Sequence, residues 1–187
     1  VVAFLGWLGS ILYLVNHGYI SVVKNWRNDI YYGGNLVAAL SLVISSLFLS
    51  SYQAVVINTF WAVISFLLLI KVDITKVAIP KQAFYVGFIS FIGFCTWSAW
   101  QSGLTSLNFY TSLGWSSSFV FCLSYFLFSS KKLSHIQYLS FNFYASVALL
   151  PLLWQQDNLP VFTLQICWAG ISAFGVYKRM DNAHLID

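Results

Sequence analysis

The sequence predicts an all-α integral membrane protein with seven transmembrane helices, set out as two parallel three-helix repeats joined by a linker helix (3+1+3). Three observations carry that prediction. Of the 187 residues, 59% are hydrophobic and only 7% are charged, whereas a soluble domain carries roughly a quarter charged residues. The apolar residues fall in seven runs of membrane-spanning length, and the two halves of the chain share a spaced pattern of Trp, Asn and Ser.

The runs come first, because a helix needs about 20 mostly apolar residues to cross roughly 30 Å of hydrocarbon. They lie at 2–20, 32–50, 53–70, 84–101, 109–129, 136–154 and 159–178, with charges and turn formers between them. In the bilayer every backbone N–H and C=O must be paired within its own helix, which leaves only short connections here and no soluble domain. The expected organisation is a first repeat over 1–71, a linker loop and fourth helix over 72–108, and a second repeat with a short tail over 109–187. The first run lacks a basic leader and a small-residue cleavage site, so it reads as a span rather than a signal peptide.

Charge tests the count of crossings independently. With seven spans, one face receives Lys24, Arg27, Lys71, Lys76, Lys81, Lys131, Lys132, Lys178 and Arg179, which are all nine basic residues. The other face receives only Asp157. Lys and Arg collect on the cytoplasmic side, so the N-terminus is expected outside and the C-terminus in the cytoplasm. Topogenic charge is the expected role of these residues, with a site for lipid headgroups or an acidic partner as the lesser alternative. Size and compactness point to a bacterial inner membrane.

The repeat is seen at two registers. At an offset of 107, Tyr31, Asn35, Ala38 and Leu42 meet Tyr138, Asn142, Ala145 and Leu149, and Trp61, Ala62, Ile64 and Ser65 meet Trp168, Ala169, Ile171 and Ser172. At 108, Leu5, Gly6, Trp7 and Ser10 meet Leu113, Gly114, Trp115 and Ser118, and Lys24 meets Lys132. Four crossings separate matched spans, so both repeats run the same way through the bilayer, the arrangement that puts a transporter's site at the repeat interface near the midplane.

A 3+1+3 parallel repeat with its N-terminus outside resembles the SWEET, SemiSWEET and PQ-loop superfamily of small-solute transporters, and the related PnuC-type carriers of vitamin precursors. The resemblance implies alternating access and an Asn on the third helix of each repeat that hydrogen-bonds substrate. Asn58 in VVINTFWAVIS stands in that place, and its mate is Gln165 in TLQICWAGIS. The family's Pro-Gln pair is absent from GWLGSILYLVN and GWSSSFVFCLS, and Leu42 and Leu149 stand near the depth of its second-helix Trp. These departures speak against a Pro hinge and against sugar as substrate.

The residues themselves support a compatible reading. Asn58 and Trp61 share a helix face, as do Gln165 and Trp168, with Ser65 and Ser172 a turn further along. An amide beside an indole can hydrogen-bond and stack a flat solute; the same residues can instead pack helices, since Ser and Asn bond across them. Asn35, Asn142 and Asn16 border an expected inner gate, with helix capping as the alternative for Asn35 and Asn142. Gly6, Gly9 and Gly114 permit close helix approach.

Several classes are excluded. No Asp, Glu, Lys or Arg lies well inside a span, which argues against a proton relay or a charged substrate. His17, His135 and His184 lack neighbours at metal spacing, and Cys95, Cys122 and Cys167 form no CxxC. No nucleophile stands beside a base, so no enzyme and no cofactor are expected, and nine cations are too few for nucleic acid. Trp26, Tyr31, Tyr32, Trp97 and Trp100 read as interfacial belt residues. The lipid bilayer is the expected partner, a small neutral solute passes by facilitated diffusion, and self-association into a homo-oligomer is compatible with the apolar surface. The competing expectation is a membrane scaffold or accessory subunit that keeps the fold without transporting.

Overall fold

The computed structural model describes residues 1–22, 27–77 and 79–183. Lys24, Trp26 and His184 lie outside them. The described chain is all-helical: α1 (Val2–Val22), α2 (Asn28–Phe48), α3 (Tyr52–Leu69), a single 3-10 turn (Ile74–Lys76), α4 (Lys81–Ser102), α5 (Leu107–Ser129), α6 (His135–Gln155) and α7 (Leu159–Ala183). Each expected span has its helix, with ends displaced by a few residues.

Six of these helices, α2 to α7, are long and apolar enough to cross a membrane. In α1, a helix of 21 residues, the described apolar stretch is the shorter Val2–His17. Large apolar side chains stand exposed along the helices, among them Phe48, Val86, Ile89, Trp100 and Phe174. Water would not tolerate so continuous an apolar exterior. The protein is therefore a membrane protein.

Four helices end in the same way. Ser50, Lys71, Lys131 and Asp157 each have positive φ, between 51° and 62°. After each, the next residue's N–H reaches five residues back: Ser51 to Ser46, Val72 to Leu67, Lys132 to Leu127, and Asn158 to Leu153, at 2.8–3.1 Å. This double closure satisfies carbonyls that a helix end leaves orphaned. It is normally made with glycine, because a left-handed backbone costs other residues about 1–2 kcal/mol.

The chain divides into two compact units, 1–77 with 153–164, and 78–152 with 165–187. In the first, α1 packs on α2 and α2 on α3. A Cβ at Gly9 would lie 2.8 Å from the Ala38 carbonyl oxygen and 2.7 Å from Leu42, and one at Gly6 would lie 2.7 Å from Ser45 Oγ and 2.9 Å from Pro160. Only glycine allows that approach. The turn after α6 belongs to this unit: Ser10 Oγ donates to the Pro160 carbonyl at 2.9 Å, Asn158 Nδ2 to Ser46 Oγ at 3.4 Å, and Ser51 Oγ bonds to Gln156 Oε1.

In the second unit, α4 lies on α5 and α6 through rings. Phe84 stacks on Phe119 and meets Phe141 edge-on, and Phe88 meets Phe141 and Tyr144 edge-on. At the start of α6, Gln137 Oε1 accepts from Lys81 Nζ and from the Ser134 N–H, both at 3.1 Å, tying α4 to the turn before α6. Ser117 Oγ donates to the Ala145 carbonyl at 2.7 Å, joining α5 to α6.

Candidate functional site

The candidate residues are polar side chains on apolar helices, and each is buried, since a helix in hydrocarbon turns such groups inward. Asn58, Trp61 and Ser65 lie on the buried face of α3. Gln165, Trp168 and Ser172 are buried along α7. The spacing read from the sequence thus describes real helix stripes.

In the first unit, Asn16 on α1 is the centre of a carboxamide pair. Its Nδ2 donates to Asn35 Oδ1 at 2.8 Å and to the Tyr31 carbonyl at 2.7 Å, both on α2. Gly34 makes room for it, as a Cβ there would meet the Asn16 amide at 3.2–3.3 Å. Trp61 stands edge-on to Tyr13 with centroids 5.6 Å apart. Asn58 Nδ2 donates to the Ala54 carbonyl of its own helix at 2.8 Å.

In the second unit, Trp168 Nε1 on α7 donates to Asn142 Oδ1 on α6 at 2.9 Å. Asn142 Nδ2 donates one turn back to the Tyr138 carbonyl at 2.8 Å. A residue expected at the site and one expected at the gate are therefore a bonded pair. The sequence did not signal this, because nothing in helix periodicity says which facing side chains meet.

The capping alternative for Asn35 and Asn142 does not hold. Both lie about two turns inside their helices, and Arg27, not Asn35, is the N-cap of α2. A helix interior has no free N–H for them to cap, so their amides serve contacts between helices and to the backbone.

Three of these groups, Ser65 Oγ, Gln165 Oε1 and Ser172 Oγ, and the nearby Ser146 Oγ are buried with no hydrogen-bond partner among the described residues. In a bilayer core a polar group left so costs several kcal/mol. Ser146 and Gln165 each lie about one turn from the Asn142–Trp168 bond on their helices. The second unit therefore buries a hydroxyl and an amide oxygen, each without a partner, close in sequence to that bond.

Among the described residues no group of three or more His, Cys, Asp or Glu could hold a metal ion. Cys95 and Cys122 are buried free thiols, and Cys167 is half-buried.

A family model matches residues 2–76 and 110–183, most of the chain, and the protein belongs to that family. The first matched segment holds α1 to α3 and the second α5 to α7, while α4 lies outside both. No curated protein and no solved structure matches the chain.

Proposed function

We propose that the protein carries a small, neutral, polar or ring-shaped solute across a bacterial inner membrane by alternating access, as a facilitator and not as an enzyme. In this reading each three-helix repeat contributes one amide and one indole to the substrate, Asn58 with Trp61 and Gln165 with Trp168. Ser65 and Ser172 lie alongside, and Asn16, Asn35 and Asn142 border the inner gate. The N-terminus is outside and the C-terminus cytoplasmic.

The observation that carries it is the set of buried, unpartnered groups Ser65 Oγ, Gln165 Oε1 and Ser172 Oγ, which fall on the stripes that the sequence repeat had matched. A group placed only to pack helices gains nothing from standing unpaired, because its desolvation is not returned. The division of the family match into two segments on either side of α4 also supports a 3+1+3 plan. The likeness to SWEET and PnuC-type carriers is one of helix order, and no comparison links the chain to them.

Uptake into proteoliposomes of a panel of nucleosides, vitamin precursors and sugars tests the proposal. Saturable uptake of at least one solute is expected, falling about tenfold or more in Gln165→Leu, which removes a substrate hydrogen bond of about 1.4 kcal/mol or more. No saturable flux for any solute, or flux indifferent to Gln165→Leu and Trp61→Ala, would sink it. The competing reading, a scaffold that keeps the fold, is favoured by one observation: Trp61 and Trp168 are 4% and 7% exposed and engaged by side chains of their own unit.

A further inference from the structure

The connection between α4 and α5 forms a cleft of about 330 Å³. Its walls are Phe94 and Trp97 from α4 and Trp115 from α5, with Gln101 and Asn108 near the turn and the buried Ser112 below. No charged side chain lines it. The rings face outward, with Phe94, Trp97 and Trp115 exposed by 48%, 59% and 40%. Of the candidate spans α4 is the least buried. In a membrane this cleft opens on lipid rather than water.

Its polarity changes along its length. The lining residues of α4 run from Phe94 to Ser102, a rise of about 12 Å, close to the depth of one leaflet of a hydrocarbon core of roughly 30 Å. The carboxamides lie at the turn end, where the chain leaves the bilayer, and the rings lie deeper. A phospholipid has the same gradient, from headgroup and esters to acyl chain.

We propose that this cleft holds one glycerophospholipid with a net-neutral, zwitterionic headgroup. An anionic headgroup would find no Lys or Arg in the lining to balance it. Gln101 and Asn108 offer N–H donors to phosphate and ester oxygens. One acyl chain would lie against Phe94 and Trp115. The proposal stands apart from transport, since none of these residues is assigned to the solute.

Native mass spectrometry of the full chain in detergent, titrated with equal amounts of phosphatidylcholine and phosphatidylglycerol, tests it. The expected result is one retained phosphatidylcholine, favoured about fivefold, which corresponds to about 1 kcal/mol. The double variant Gln101→Leu with Asn108→Leu changes only exposed positions and should lose the preference. Ser112→Phe should fill the floor and weaken both lipids, and Trp115→Ala, at the exposed wall, serves the same purpose without touching the interior. Equal retention of the two lipids, a preference for phosphatidylglycerol, or a preference that survives the double variant would overturn the proposal.

Discussion

The helices α1 to α3 and α5 to α7 carry residues matched in sequence and wire them differently. In α5 to α7 the Asn142 oxygen takes the Trp168 indole N–H, and the Asn142 amide satisfies the Tyr138 carbonyl. In α1 to α3 the matched Asn35 oxygen takes an N–H from Asn16 instead, and that same Asn16 amide satisfies the Tyr31 carbonyl, the match of Tyr138. The difference traces to one position. The 108 offset sets Asn16 against Ser124, whose hydroxyl reaches only the Phe121 carbonyl of its own helix, at 3.5 Å. Where α1 supplies a carboxamide, the tryptophan stands against Tyr13; where α5 supplies a short hydroxyl, the tryptophan donates to the asparagine.

A second contrast lies where the first two helices of each bundle cross. Gly9 lets α1 come onto the Ala38 carbonyl, and its match Ser117 uses a hydroxyl to bond the Ala145 carbonyl, the match of Ala38. Close backbone approach and a hydrogen bond are alternative ways to join helices in lipid.

The largest effect should come from breaking that crossing. Gly9→Val drives carbons into a backbone oxygen that cannot yield, and overpacking of this kind costs about 3 kcal/mol. Ser117→Ala should cost only about 0.6–1.7 kcal/mol, the range of interhelical hydrogen bonds in membranes. Thermal unfolding in detergent measures both, and equal losses would show that the two crossings are not built differently.

Next comes the carboxamide. Asn16→Ala strips partners from Asn35 and from the Tyr31 carbonyl and should lose about 2 kcal/mol, while Ser124→Ala should be within about 0.5 kcal/mol of neutral. The same melts decide it; a Ser124→Ala loss as large as that of Asn16→Ala would refute the account of the rewiring. Trp168→Phe should follow at about 1–2 kcal/mol, since it leaves the Asn142 oxygen buried without its donor. If Trp168→Phe unfolds at the parent temperature, the indole bond contributes nothing to the second bundle.

The smallest change sharpens the likeness instead. Ser50 and Asp157 hold matched left-handed positions after α2 and α6. Ser50→Gly and Asp157→Gly should each stabilise by about 1 kcal/mol through relief of the Cβ clash. Raised unfolding temperatures for both would bear this out, and a fall in either would show that its side chain matters more than its backbone.

Much of this was legible in the residues. Hydropathy located all seven helices because a membrane span is long and apolar throughout. It misplaced their ends, because hydropathy reads the membrane and not the hydrogen-bond ladder. Asn28 and Asp29 begin α2, and Lys178, Arg179, Asp181 and Asn182 fall in the last turns of α7, although they are polar or charged. Periodicity put Asn58 with Trp61 and Gln165 with Trp168 on buried faces, since three residues is nearly one turn. The rest depends on facing helices. That Asn142 meets Trp168, that Tyr13 meets Trp61, and that Ser10 reaches Pro160 are choices of partner across many residues of chain, on which a single helix's pattern is silent. The carboxamide cleft beside Trp97 was hidden for a related reason: Trp97 alone reads as a belt residue, and only α5 supplies Trp115 and Asn108 to complete a wall.

The turn after α6 has a consequence for how the chain is made. The first compact unit includes residues 153–164, so Ser10 and Ser46 wait for partners that emerge from the ribosome long after α3. At about 5–20 residues per second, the delay is roughly 5–18 s. We expect the early helices to remain protease-sensitive through that interval, and arrested nascent chains ending at Val77 and at Leu164 would reveal it by a difference in cleavage; equal protection would contradict it. The turn between α6 and α7 is then a clasp, closing on α1 and α2 only once the chain has been made through Leu164.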